Sequence, residues 1–290
     1  MKTPILATGL SGLVGSRIKE LLKDKFEFTD LSLATGVNIT DSEAVEKYIG
    51  ESYAQIILHL AAKTDVDACE DDKIFGEEGQ AWMVNVIGTD NIVQAAKKTG
   101  KRIIYISTDF VFDGTKDYYT EEDTPNPVNW YSVTKLEGEK RILDSGVSST
   151  IIRIAYPYRN NFIEKKDFLR RILEKLEKKE KIKVVTDHVF TPTFIDDIVY
   201  ALEIFLSREL AGIYHVVGSD SVTTPEAVKI IAETFTLKAV TEPVSRESYF
   251  KDRAFRPFKL ALKNDKIGKL GIKMKKFRDG IIEIKKQMTI

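Results

Sequence analysis

The segment Thr8-Gly9-Leu10-Ser11-Gly12-Leu13-Val14-Gly15 constrains this chain more than any other stretch. It follows an apolar run, Pro4-Ile5-Leu6-Ala7-Thr8, that reads as a buried strand. A helical pattern from about Val14 to Lys23 comes next. Glycines at this spacing let a backbone turn tightly and approach a pyrophosphate, whose charge then sits at a helix N-terminus. Alone, such a turn is a tight loop; between a first strand and a first helix it signals a dinucleotide site. Asp30 lies 21 residues after Gly9, at the end of a second strand over Phe26 to Phe28. An acid there either accepts from a ribose, which favours NAD, or serves as a helix N-cap or turn residue. Arg17 or Lys19 offers a partner for a 2′-phosphate, so NADH and NADPH both stay open.

The alternation continues down the chain. Gln55 to Leu60, Arg102 to Ile106 and Thr150 to Ala155 are short apolar runs, and Trp82 to Thr99 is a helical pattern closed by Gly100. Near-continuous apolar strands between helices predict an α/β fold: a Rossmann-type doubly wound parallel sheet with a smaller C-terminal substrate-binding domain. Regular alternation fades near Tyr156-Pro157-Tyr158. The expected nucleotide domain is therefore 1–155 plus returning segments near 182–217. The expected substrate domain is 156–181 and 218–290. Glu164 to Lys183 is charged but carries Phe168, Leu169, Ile172, Leu173 and Leu176 on one stripe, as a solvated helix packed on the second domain would. Asp196-Asp197 is expected to cap a helix from Ile198 to Ser207.

Composition excludes several functions. The 44 basic and 44 acidic residues cancel, so no global field draws the chain to nucleic acid or anionic lipid. One cysteine, Cys69, excludes an internal disulfide framework and fits a reducing cytoplasm. The opening apolar run is broken by glycines and lacks a cleavage site, so neither a signal peptide nor a membrane span is expected. His59, His188 and His215 are too scattered for a metal site. His59 and His215 read as packed strand residues. His188 is balanced between a ligand contact and a surface loop.

Tyr131 and Lys135 are four residues apart, hence on one face of a helix. An ammonium beside a phenol favours the phenolate, and a tuned Tyr can pass a proton to a carbonyl oxygen. A hydroxyl from Ser107 or Thr108 can hold that oxygen.

Three strings then point to a family. They are the glycine turn, Ser107-Thr108-Asp109-Phe110-Val111-Phe112-Asp113-Gly114, and Tyr131-Ser132-Val133-Thr134-Lys135-Leu136-Glu137-Gly138-Glu139. Together they resemble the dTDP-4-dehydrorhamnose reductase family of extended short-chain dehydrogenase/reductases. Ala61-Ala62-Lys63-Thr64 with Val66-Asp67, Asn85-Val86 with Gly88-Thr89, Arg153 to Tyr158, and Thr191 to Asp197 extend the resemblance. It implies a reductase that takes hydride from NADPH or NADH to the C4 ketone of a nucleotide-linked 4-keto-6-deoxy sugar. Tyr131 would be the proton donor, Lys135 its tuner and Thr108 the holder of the carbonyl oxygen. It implies cofactor contacts at Gly9, Ser11, Gly12, Leu13, Val14, Gly15, Asp30, Asp41, Ala61, Ala62, Lys63, Tyr131 and Lys135. Substrate contacts are implied at Thr64, Val66, Asp67, Asp109, Val111, Phe112, Tyr156, His188 and Arg256. Asp109 by itself reads as a turn or capping acid. The partner is a nucleotide sugar, dTDP-linked, with no metal, nucleic acid or membrane, and with a homodimer left open.

Departures fall on the substrate side. Tyr156 stands for the family's Trp, His188-Val189-Phe190-Thr191 replaces its Gln-x-Gly, and Lys259-Leu260 replaces an Asn-Ser pair after Arg256-Pro257. Two alternatives accompany the reductase. One is a non-catalytic NAD(P)-binding subunit similar to the methionine adenosyltransferase beta subunit. The other is an epimerase or dehydratase of the same superfamily, disfavoured because Phe110 follows Asp109 where a second acid would stand.

Overall fold

The opening strand is buried on both sides, and that decides the architecture. The computed structural model describes residues 1–160 and 166–289. Its first half runs β1 (Thr3–Thr8), α1 (Leu13–Leu22), β2 (Phe26–Leu31), α2 (Ser42–Gly50), β3 (Ile56–His59), α3 (Val66–Asp72), α4 (Gln80–Trp82), α5 (Gly88–Thr99), β4 (Arg102–Thr108), α6 (Trp130–Asp144) and β5 (Ser149–Ile154). Successive strand residues point to opposite faces. Ile5 and Ala7 of β1 enter a core shared with Ile18 and Leu22 of α1, while Leu6 enters another shared with Ile92 and Ala96 of α5. Both faces are therefore covered, as a parallel sheet requires.

The second half runs β6 (Pro157–Tyr158), α7 (Phe168–Glu177), β7 (Lys181–Val185), β8 (Val189–Phe190), β9 (Thr193–Phe194), α8 (Ile195–Ser207), β10 (Gly212–His215), β11 (Val222–Thr223), α9 (Thr224–Phe235), β12 (Val240–Val244), α10 (Arg246–Tyr249), β13 (Lys259–Leu260), α11 (Asp265–Gly268) and α12 (Phe277–Thr289). The main sheet has the order β10-β5-β4-β3-β1-β2, and every neighbouring pair is parallel. From β1 the chain crosses to β2 on one side and then to β3 on the other. The switch point lies between β1 and β3, where open α/β sheets hold their ligands.

The expected fold class is the one observed, with differences in its seams. β2 extends to Leu31, which puts Asp30 inside the strand opposite Ala7. The helical pattern from Trp82 to Thr99 contains a π turn over Met83–Ile87, and Gly100 closes α5 in the left-handed conformation at φ 69°. The return to the main sheet begins at α8 rather than near 182, because β7 pairs with β12 in a separate two-stranded sheet. The chain also returns a further time: Ile267, Ile272 and Met274 fill the core under α8. These residues were expected in the substrate domain. That smaller unit has its own core, in which Leu169, Leu173 and Leu176 of α7 meet Ile231 of α9 and Ile281 of α12. The start of the charged stretch, 164–165, lies outside the described residues.

Asp196 and Asp197 do not cap α8. Phe194 holds the N-cap position, and both acids lie in the first helical turn. They are committed to tertiary ion pairs instead: Asp196 with Arg17 at 2.7 Å and Asp197 with Lys275 at 2.7 Å.

Candidate active site

Gly9 carries φ +71°, and a Cβ there would stand 2.7 Å from Ala61 N across the switch point. A Cβ on Gly15 would lie 2.4 Å from Gly9 O. Gly12 is roomier, with only Gly9 O at 3.3 Å. Two of the three glycines are thus forced by backbone contact, and the turn leaves the α1 N-terminus open at Gly12, without a side-chain cap. Leu13 and Val14 begin α1 and pack on the first core, while Ser11 is exposed at the turn. Facing them is the loop after β3. Asn85, in the π turn, accepts from Lys63 N at 2.8 Å and donates to Lys63 O at 3.1 Å, fixing the path of Ala61, Ala62 and Lys63. At the end of β2, Asp30 Oδ2 accepts from Ser32 Oγ at 2.9 Å, while Oδ1 is buried without a partner. These features fit a dinucleotide: a backbone cradle, an open helix N-terminus and a buried carboxylate oxygen at the ribose position. Arg17 is bidentate on Asp196 and also reaches Glu20, so it is not directed to a 2′-phosphate. Asp41, expected among the cofactor contacts, caps α2 by accepting from Ala44 N, and its capping duty explains its place in the sequence.

The carboxyl end of β4 and the start of α6 carry the reactive groups. Asn129 caps α6 in a capping box with Ser132, which sets the helix phase and turns Tyr131 and Lys135 inward. Tyr131 lies beside the Thr108 side chain; burial pushes its pKa above the phenol range and the Thr108 hydroxyl opposes that. Thr108 Oγ1 donates to Asp109 Oδ1 at 3.1 Å. The single Thr108 hydrogen is thereby used, and the same oxygen accepts from Phe110 N at 3.2 Å. Asp109 is only 2% exposed, its Oδ2 is buried without a partner, and burial raises it to about 7. This acid is no simple turn residue, because desolvation makes its neutral form accessible at neutral pH.

Lys135 departs from expectation. Its Nζ donates to Tyr105 Oη at 2.6 Å and to Ile106 O at 2.9 Å. It also sits 4.0 Å from the Tyr105 ring centroid. Burial pulls the ammonium down to about 7, with Glu139 opposing. The expected lowering of Tyr131 by Lys135 is not observed, since burial dominates the phenol and the ammonium is held by β4. In the sequence Tyr105 is one residue of the apolar strand run Arg102 to Ile106. Glu139 also went without a role: it pairs with Arg153 at 2.7 Å, both 1% exposed, and accepts from Ser107 Oγ. That bond removes Ser107 from the candidate donors. The signal was present, since Glu139 closes the quoted α6 string.

The substrate-side residues divide. Tyr156 holds φ +39°, a strained backbone for a side chain of this size, and its hydroxyl lies 2.8 Å from His188 Nε2. His188 is buried and its Nδ1 meets Pro257 O at 2.9 Å. A carbonyl only accepts, so Nδ1 carries the hydrogen and Tyr156 donates to Nε2. The surface-loop reading of His188 is therefore excluded. Arg256 pairs with Asp67 at 2.8 Å, which joins two expected contact residues and ties the segment before β13 to α3. Val66 opens α3, and Thr64 precedes the Asp65 cap. Val111 and Phe112 are 0% exposed. They are core residues, Phe112 stacking on Tyr119 at 4.3 Å, and not contact residues as expected. Cys69 is buried and its thiol is pushed up to about 12, so it is inert. His59 and His215 are packed, as expected. Among the described residues no metal-ligating cluster occurs and no helix is long and apolar enough to cross a membrane.

Fold and site together define a Rossmann-type dinucleotide-binding protein with a Thr-Tyr-Lys constellation beside the cofactor crevice. The chain belongs to the RmlD substrate binding domain family, whose pattern it matches over residues 1–290. It is similar to mouse methionine adenosyltransferase 2 subunit beta, with 30% identity covering 96% of this chain and 86% of the relative. The spore coat polysaccharide biosynthesis protein SpsK of Bacillus subtilis is 30% identical, covering 97% of this chain and 96% of that one. Among solved structures, dTDP-4-dehydrorhamnose reductase from Bacillus anthracis in complex with NADP superposes with a TM-score of 0.89 at 26% identity, covering 99% of this chain and all of the other.

Proposed function

We propose that this protein is an NAD(P)H-dependent reductase of a nucleotide-linked 4-keto-6-deoxy sugar, with dTDP as the carrier and the cytoplasm as its setting. The observation that carries the reading is Tyr131 placed beside the hydrogen-bonded pair Thr108 and Asp109 at the carboxyl end of β4, near the glycine cradle. A reduced nicotinamide dinucleotide, when bound, supplies hydride to a carbonyl carbon. Gly9, Gly12 and Gly15 accommodate its pyrophosphate, and Asp30 accepts from its ribose. Tyr131 keeps its proton at neutral pH and gives it up as negative charge develops on the carbonyl oxygen. Turned from Asp109 Oδ1, the Thr108 hydroxyl hydrogen holds that oxygen, and Lys135 places a positive charge near it. One hydride and one proton convert the ketone to an alcohol. Asp30 with its free buried oxygen, and Arg17 committed to Asp196, favour NADH over NADPH.

The test is oxidation of NADH and of NADPH with dTDP-4-keto-6-deoxy sugar, beside Tyr131→Phe. Turnover is expected with the wild type, and loss of about 10²- to 10⁴-fold in the variant. Tight dinucleotide binding with no turnover on any nucleotide-linked keto sugar would overturn the reading in favour of a non-catalytic nucleotide-binding subunit.

A further inference from the structure

Behind the site lies a buried polar chain that the proposed reaction does not use. It begins at Lys135, which donates to Tyr105 Oη at 2.6 Å. The Tyr105 ring in turn lies against the His59 ring, centroids 5.3 Å apart. Thr89 Oγ1 lies 3.0 Å from His59 Nε2, and His59 Nδ1 lies 2.7 Å from Thr8 Oγ1. Thr8 Oγ1 finally accepts from Leu60 N at 3.2 Å and Ala61 N at 3.0 Å. Lys135, Tyr105, Thr89, His59 and Thr8 are all buried.

Counting donors fixes the protons of Thr89, His59 and Thr8. Thr89 spends its hydrogen on Asn85 O at 2.7 Å, so toward His59 it only accepts. His59 must then carry its hydrogen on Nε2. Its Nδ1 is left to accept, and Thr8 donates to it. Thr8 accepts two backbone hydrogens besides, which fills the capacity of a hydroxyl. Tyr105 presents a lone pair of its hydroxyl to Lys135. One tautomer and one set of rotors satisfy all these groups, and the reverse polarity leaves the Thr8 hydroxyl hydrogen without an acceptor. Burial keeps His59 neutral, down at about 3, which this polarity requires.

We infer that Tyr105 is a positioning residue for Lys135, its ring seated on His59, which a proton-ordered chain through Thr89 on one side and Thr8 on the other ties to the Leu60–Ala61 backbone. The two ends of the chain are then mechanically joined. Thr8 and Ala61 flank the dinucleotide turn, where Gly9 and Ala61 touch; Lys135 stands in the reactive group. The charged and titratable neighbours of the ammonium are Tyr131 and Glu139 on its own helix α6, Tyr105 on β4 and His59 on β3, with Asp109 and Cys69 beyond Tyr131. Glu139 favours the charged form but is bound to Arg153 and Ser107. Tyr105 and the Ile106 carbonyl are thus the direct acceptors of the ammonium.

The role in turnover rests on the reductase reading; the anchoring does not. The experiment therefore follows Lys135 itself. The protein is labelled with ¹³C at lysine Cε, the Lys135 signal is identified by its loss in Lys135→Met, and its pH titration is compared among wild type, Tyr105→Phe and Thr89→Val. Tyr105→Phe removes an acceptor from the ammonium. It is expected to lower the Lys135 midpoint by about one pH unit, a tenfold loss of proton affinity. Thr89→Val removes the acceptor of His59 Nε2 and so loosens the ring against which Tyr105 is seated; a smaller shift in the same direction is expected, and it tests the chain even if Tyr105→Phe does not fold. The basic limb of reductase activity should move down with the midpoint. An unchanged midpoint in Tyr105→Phe would overturn the anchoring, and an unchanged midpoint in Thr89→Val would overturn the ordered chain behind it. Midpoints that move as expected in a protein without turnover would sustain the anchoring and refute the reductase reading alone.

Discussion

Asp109 gives the most quantitative prediction. Its pKa rises from 3.8 to about 7 because its carboxyl is buried and Oδ2 lacks a partner, the Thr108 bond only partly opposing this. A raised carboxyl pKa means that the folded protein holds a proton which the unfolded chain has released. Between about pH 4 and pH 7 the folded state binds more protons, so stability falls as pH rises through that window. Each tenfold change in proton affinity is worth about 1.4 kcal/mol, which makes the full penalty about 4 kcal/mol. About 3 kcal/mol of it develops between pH 5 and pH 9. Asp109→Asn keeps the shape and cannot ionise. Urea unfolding of both proteins at pH values from 5 to 9, extrapolated linearly, should show the variant gaining about 3 kcal/mol on the wild type across the series. Lys135, drawn down to about 7 by burial, titrates in both proteins and cancels in the difference. A difference that stays flat would refute the burial argument. It would mean that Asp109 is ionised in the fold and paired with a group not identified among its neighbours.

Two further outcomes follow from packing. Gly15→Ala must push a Cβ into Gly9 O, whereas Gly12→Ala sets its Cβ 3.3 Å from that oxygen, a tight contact that a shift of a few tenths of an ångström relieves; dinucleotide affinity, read by fluorescence titration, should fall about tenfold or more in the first, the equivalent of about 1.4 kcal/mol, and less in the second. Glu139→Gln leaves Arg153 charged and 1% exposed without its counter-ion, and urea unfolding should register a loss of about 3–5 kcal/mol, part of which returns when Arg153→Met is added.

The sequence alone determined the fold class, because burial on both faces writes itself as unbroken apolar strands, and the glycine turn has one steric solution between a first strand and a first helix. It also put Tyr131 and Lys135 together, since i,i+4 spacing places side chains on one helix face without any tertiary information, while Thr108 was singled out over Ser107 only by the family resemblance of its string. What it could not settle was which partner each polar group chooses. Lys135 lies one turn from Tyr131 yet is claimed by Tyr105, a residue on a strand 30 positions earlier whose hydroxyl is invisible in an apolar pattern. Asp196 and Asp197 carry the signature of a helix start, but two cations distant in sequence take them into ion pairs. Val111 and Phe112 sit inside a family string and look like contact residues; only packing against Tyr119 shows them to be core. The physical reason is common to all three. Local steric and periodic constraints are encoded within a few residues, whereas hydrogen-bond partners, burial and hence proton affinities depend on which distant segments the fold brings together.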